Sequence, residues 1–136
     1  MSLKEKILIA DDSEMNQMLL EEILSDKYEY VMAKDGTEAV DILEKNDDID
    51  LVMLDINMPK MDGFGVLEIM NLRHWISEVP VIIISSESDV DFIRRGYDLG
   101  ASDYISRPFD LTVVRCRVAN TLMLYSRPKR LVRLVE

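Results

Sequence analysis

Three aspartates in this chain stand where a carboxylate is costly to keep. Asp55 closes the apolar run Leu51-Val52-Met53-Leu54 and opens the turn Ile56-Asn57-Met58-Pro59; Asp11 and Asp12 follow Ile7-Leu8-Ile9-Ala10 in the same way. A charge at the end of a buried strand is poorly solvated, so such positions point to chemistry. If the two strands are parallel neighbours, three acidic side chains converge on one small site. That convergence predicts a divalent cation and a reactive aspartate. Read alone, Asp11 and Asp12 would serve equally well as caps of the first helix. Asp55, delivered by an independent strand, favours the metal reading.

The elements that must position these residues alternate along the chain. Short apolar runs at 6–10, 28–33, 51–54, 81–85 and 103–106 read as strands. Ile82-Ile83-Ile84 is continuous and β-branched, as in a strand covered on both faces, whereas 28–33 is polar enough for an edge. Between them lie amphipathic segments. The first, 13–24, places Met15, Leu19 and Ile23 on one face, with Asp12 or Ser13 as N-cap. The second, 36–44, does so with Ala39, Val40 and Leu43. The third, after Gly63, turns Phe64, Leu67 and Met70 inward. The fourth lies within 90–99 and ends at Gly100. The last follows Asp110 and buries Leu111, Val114, Val118, Leu122 and Tyr125. Strict alternation predicts an α/β fold: one doubly wound, five-stranded parallel sheet with helices on both faces. In such sheets ligands bind beyond the carboxyl ends of the strands, and Asp11, Asp12, Asp55, Ser85 and Arg107 all fall at or just past those ends.

Composition narrows the function classes. A chain of 136 residues, 48% apolar and 31% charged, can form one domain with a full core. No run approaches the roughly 18 apolar residues a membrane helix requires, so no membrane partner is expected. The N-terminus lacks the basic-then-apolar pattern of a signal peptide. Cys116 has no cysteine to pair with inside the chain, which fits a reducing cytoplasm. The net charge of −10 is uneven: residues 107–136 carry 7 Lys and Arg against 2 Asp and Glu, which leaves −15 on residues 1–106. So acidic a body argues against a nucleic-acid surface. Lone His74 reads as a surface residue, Cys116 as an inert packing thiol and the nine methionines as mostly core fillers. Gly63 reads as a backbone requirement before the third helix, since no glycine-rich phosphate loop is present.

Four stretches together resemble the receiver domain of two-component response regulators, in the manner of chemotaxis regulators. They are Ile7-Leu8-Ile9-Ala10-Asp11-Asp12-Ser13, Leu54-Asp55-Ile56-Asn57-Met58-Pro59-Lys60-Met61-Asp62-Gly63, Pro80-Val81-Ile82-Ile83-Ile84-Ser85-Ser86, and the run from Gly100 through Tyr104, Arg107 and Pro108 to Asp110. They are in the right order and spacing. The resemblance implies a flavodoxin-like strand order 2-1-3-4-5, a receiver domain over 4–126 and a basic tail at 127–136.

It also implies a phosphorelay. Asp55 would accept a phosphoryl group from a sensor histidine kinase, with Mg²⁺ (or Mn²⁺) held by Asp11, Asp12, Asp55 and the backbone carbonyl of Asn57. Magnesium suits this set: it takes oxygen ligands in octahedral geometry and retains waters. Ser85 would donate its hydroxyl to the phosphoryl group. Tyr104 would swing inward in step, altering the surface of the fourth helix, fifth strand and fifth helix. Such a domain is not an enzyme; it supports only its own phosphorylation and dephosphorylation. The Arg107–Pro108 peptide is expected to be cis by the same resemblance.

One departure matters. Arg107 stands where the family usually has lysine, replacing a point charge with a planar fork. It would still contact the phosphoryl group. A second reading starts from the same departure: a receiver-like interaction module that works without phosphorylation. A third, a phosphatase of haloacid-dehalogenase type, wants an aspartate two residues after the nucleophile, where Asn57 stands. Beyond the last helix, Pro128 should end or kink the chain, and the basic-apolar tail reads as a frayed end or a connector to an output domain. In similar chains the output is often a cyclic-di-nucleotide enzyme or a histidine kinase module. Val113, Cys116, Asn120 and Met123 or Leu124 form a second, weaker stripe on the last helix through which a homodimer could form.

Overall fold

The computed structural model describes residues 4–86 and 90–125. The tail at 127–136, Pro128 within it, and Glu87 lie outside the described residues. Strands and helices alternate as β1 (Lys6–Ala10), α1 (Glu14–Leu24), β2 (Glu29–Ala33), α2 (Gly36–Lys45), β3 (Leu51–Asp55), α3 (Gly63–Leu72), β4 (Val81–Ser86), α4 (Val90–Asp98), β5 (Asp103–Arg107) and α5 (Leu111–Leu124), with a 3₁₀ turn at Trp75–Ser77. All strand pairs are parallel, in the order β2-β1-β3-β4-β5. Both the doubly wound fold and its strand order agree with expectation. The strand order reverses between β1 and β3, so the crevice of the switch point opens where Asp11, Asp12 and Asp55 emerge.

Successive residues of a strand face opposite sides, and here each side has its own core. Leu8, Ala10, Val52, Leu54, Val81 and Ile83 pack beneath α2 and α3 with Ala39, Leu43, Phe64, Leu67 and Met70. Ile7, Ile9, Leu51, Met53, Ile82 and Ile84 pack beneath α1 and α5 with Leu20, Ile23, Leu24, Val114, Val118 and Leu122. A strand covered on both faces must be apolar throughout, and every residue of β3 is buried. Polar β2 is an edge strand, as its sequence required.

Two helices differ from their sequence reading. In α1, Met15 and Leu19 are exposed, at 72% and 42%; only Ile23 of the expected stripe is buried, together with Leu20 and Leu24. The inward positions of the first turn carry Asn16 and Gln17, whose amides bond the β1 end. An apolar-stripe reading misses a face whose upper end is polar because it serves the crevice. In α5, Leu111 and Tyr125 are exposed: the former lies in the first turn at the mouth, the latter past the last turn. Cys116 is exposed rather than packed. Of the described methionines, Met53 and Met70 are fully buried and Met32, Met58 and Met61 pack against the two cores, as the core-filler reading expected, while Met15, Met18 and Met123 are exposed. His74 is exposed, as expected.

Caps fix where helices begin. Ser13, not Asp12, caps α1: its Oγ accepts the Asn16 N–H at 3.2 Å. Asp35, Asp62 and Asp110 cap α2, α3 and α5 in the same way. Gly100, at φ 102°, supplies the left-handed residue after α4. Replacing Ser13 by Ala should therefore lower stability by about 1 kcal/mol in a urea melt, with an unchanged m-value, because one N–H loses its partner while the exposed surface stays the same. An unchanged midpoint would reassign the cap.

Candidate functional site

Asp55 is the last residue of β3 and pairs in register with Ile84, one residue short of Ser85. Asp11 follows Ala10 of β1, which pairs with Leu54. Parallel adjacency thus sets side by side two carboxylates 44 residues apart in sequence. Asp12 completes the group: one carboxylate oxygen from each of Asp11, Asp12 and Asp55 lies within 4.8 Å of the other two. Asp11 and Asp55 are almost wholly buried, at 0% and 1% exposure, and Asp12 is exposed.

The chain prepares these carboxylates with donors. Asp11 accepts the Ser13 N–H at 2.9 Å and the Asn16 amide at 3.3 Å, while Gln17 Nε2 donates to the Asp11 carbonyl at 2.6 Å. Asp55 accepts the Asn57 N–H at 3.2 Å. Arg107, ending β5, reaches across with both terminal nitrogens, donating to Asp55 Oδ1 at 3.3 Å and to Oδ2 at 3.4 Å. The same guanidinium stands 3.8 Å from Asp11. These donors do not offset burial. Burial first, and the Asp11 charge second, push the Asp55 carboxyl up to about 6, against the opposing pull of Arg107 and the Asn57 N–H. Asp11 is also raised, chiefly by burial.

Ser85 is 3% exposed, and its hydroxyl has no hydrogen-bond partner among the described residues. A buried hydroxyl without a partner is expensive unless a ligand supplies one. Tyr104 lies elsewhere. Its half-buried ring meets the Tyr97 edge of α4 at 6.4 Å and sits beneath the Arg117 guanidinium of α5 at 5.1 Å. Arg117 also donates to the Tyr104 carbonyl. The Arg107–Pro108 peptide is cis, as the resemblance implied. Asp11, Asp12, Asp55 and Arg107 are therefore brought together, with Ser85 at the neighbouring strand end. Tyr104 looks onto α4 and α5, and exposed Asn57 contributes its backbone to the turn. Sequence reasoning missed Asn16 and Gln17, whose signal was a polar pair at inward positions just after the cap.

Gly63 closes the site from below. Its N–H bonds to the Ile56 carbonyl at 2.8 Å, and a Cβ there would stand 2.5 Å from the Asp55 carbonyl oxygen. Asp62, Gly63 and the start of α3 are in this way pressed against the turn that presents Asp55.

The three carboxylates offer only hard oxygen donors, one exposed and two buried, beside an unsatisfied hydroxyl. That set fits magnesium, with the open side left for water or phosphate.

Comparison with known proteins agrees with this geometry. The family described as the response regulator receiver domain matches residues 7–119. A transcriptional regulator of Porphyridium aerugineum, ycf27, is 40% identical over 120 residues, covering 88% of this chain and 48% of that protein. Sporulation initiation phosphotransferase F of Bacillus subtilis is 36% identical over 125 residues, covering 91% of this chain and 98% of that protein. Among solved structures, a two-component response regulator/GGDEF domain protein superposes with a TM-score of 0.86 at 25% identity, over 92% of this chain and 52% of that one. The chain thus spans about half the length of several proteins it matches, and nearly all of another.

Proposed function

Because this chain belongs to the response regulator receiver domains of two-component signalling, we propose that Asp55 accepts a phosphoryl group from a sensor histidine kinase in the cytoplasm. The observation that carries this reading is the convergence of Asp11, Asp12 and Asp55 within 4.8 Å of one another at the switch-point crevice. In the transfer, an Asp55 Oδ attacks phosphorus, the P–N bond to the donor imidazole breaks, and the imidazole takes up a proton. The product is a mixed anhydride. Two anions must approach, so the step depends on cationic help. Magnesium bound by Asp11, Asp12, Asp55 and the Asn57 carbonyl would neutralise phosphoryl oxygens as they gain charge.

The chain's own residues do the rest. Asn16, Gln17 and the Ser13 N–H hold Asp11 in place. The Asn57 N–H fixes one oxygen of Asp55. Ser85 donates its hydroxyl to a phosphoryl oxygen, and Arg107 follows with its fork. Movement of Ser85 toward the phosphoryl group lets the Tyr104 ring leave Tyr97 and Arg117, which changes the surface shared by α4, β5 and α5. On this reading residues 4–126 are the receiver unit, and residues 127–136 are a basic tail or the start of a connector to an output domain. One structural neighbour is described as a response regulator/GGDEF protein, and a Vibrio cholerae relative as a cyclic di-GMP phosphodiesterase, so a cyclic-di-nucleotide enzyme is one class of output this reading accommodates. The phosphorylation-independent reading is not favoured, since Arg107 keeps a cation on Asp55 despite replacing lysine.

The test is direct. Incubation with acetyl phosphate and Mg²⁺ should add one phosphoryl group to the intact protein by mass spectrometry, and EDTA should abolish it. A mass that stays unchanged with metal present overturns the proposal.

A further inference from the structure

We infer that Arg107 is a specificity-determining counter-ion that competes with the divalent cation for Asp55. The fork lies across both oxygens of one carboxylate, at 3.3 and 3.4 Å, and stands 3.8 Å from a second. A cation seated among Asp11, Asp12 and Asp55 needs one of those Asp55 oxygens and meets a permanently charged guanidinium beside it. It must dislodge at least one arm of the fork. Lysine carries the same charge but places it at a single point, so an ammonium can hold one oxygen and leave the other to the metal. The bidentate arrangement, rather than the charge, then sets the metal affinity of this chain. Phosphorylation would relieve the competition: the acyl phosphate brings new anionic oxygens, enough to engage both the fork and the cation. Binding of the cation and of the phosphoryl group should therefore reinforce each other more strongly here than with lysine.

This inference rests on Asp11, Asp12 and Asp55 being the cation's ligands. Mg²⁺ alone is titrated by calorimetry and by amide NMR shifts into the full chain, its Arg107→Lys and Arg107→Gln variants, and Asp12→Asn, each first confirmed folded by circular dichroism. Arg107→Lys should bind on the order of three- to tenfold more tightly than the wild type, and Arg107→Gln at least as tightly as Arg107→Lys. Asp12→Asn should bind more weakly. If Arg107→Lys equals the wild type while Asp12→Asn weakens binding, the competition is wrong and the metal site stands. If no variant, nor the wild type, shows saturable binding with shifts at Asp11 to Ser13, the metal site itself is wrong.

Discussion

Asp55→Asn should abolish phosphoryl acceptance and, without metal, make the protein more stable at neutral pH. The first effect follows from the nucleophile: an amide oxygen does not form the mixed anhydride, and among the described residues the other carboxylates of the cluster, Asp11 and Asp12, come from the β1 end rather than the β3 end. Asp11 is held by its own donors, and Asp12 is exposed. The second effect comes from linkage. The Asp55 carboxyl titrates near 6 in the folded protein, raised from 3.8, so the folded state holds its proton more tightly than the unfolded chain. Stability from this source is fully present below about 3.8 and is lost as pH rises through about 6. A shift of that size corresponds to about 3 kcal/mol of destabilisation at pH 7. Asparagine removes it. Metal-free urea melts at pH 4 and pH 7 should therefore show the wild type losing stability toward neutrality and Asp55→Asn losing much less. Asp11, shifted the same way, leaves some slope. Equal slopes in the two proteins would mean that Asp55 is not desolvated as its burial requires.

Gly63→Ala should disturb both the fold and the site. The added methyl would stand 2.5 Å from the Asp55 carbonyl and 2.9 Å from Ile56 Cα, and neither backbone atom can turn aside as a side chain could. The α3 terminus must back away from the β3 end. Overpacking of this kind costs roughly 1–3 kcal/mol. The displaced turn carries the Asn57 N–H that fixes Asp55, so the acetyl phosphate reaction should slow even in the fraction that remains folded. Measuring the thermal midpoint and the initial phosphorylation rate on the same sample separates the two. A midpoint within a degree of the wild type would show that α3 can shift freely, contrary to the packing of Phe64 and Leu67 in the core.

How much of this was legible beforehand depends on what each feature rests on. The five strands appear because a strand covered on both faces must be continuously apolar, and β3 and β4 can be read directly from that rule. The expected ends were within about a residue of those observed. Tyr28 is one such offset: it packs into the turn after α1, donating its N–H to the Leu24 carbonyl, and β2 opens at Glu29. The faces of α1 and α5 were harder. Periodicity marks apolar stripes, but Met15 and Leu111 are exposed in first turns, and in α1 the inward positions of that turn are the polar Asn16 and Gln17. Asn16 and Gln17 could not be assigned from spacing, since a polar residue near a helix start reads as solvated until its partner is known.

By itself the sequence determined the architecture: alternation of apolar runs and amphipathic segments permits few parallel sheets, and aspartates at the ends of neighbouring strands meet at the carboxyl edge of the sheet. Only the tertiary structure decided which donors reach which acceptor. The Arg107 fork lies on Asp55, the Ser85 hydroxyl has no partner among the described residues, and the Tyr104 ring rests between Tyr97 and Arg117. The physical reason is range. Whether a segment becomes a strand or a helix follows largely from the pattern of its neighbours in sequence, whereas a side chain's partner is set by register and packing between segments tens of residues apart.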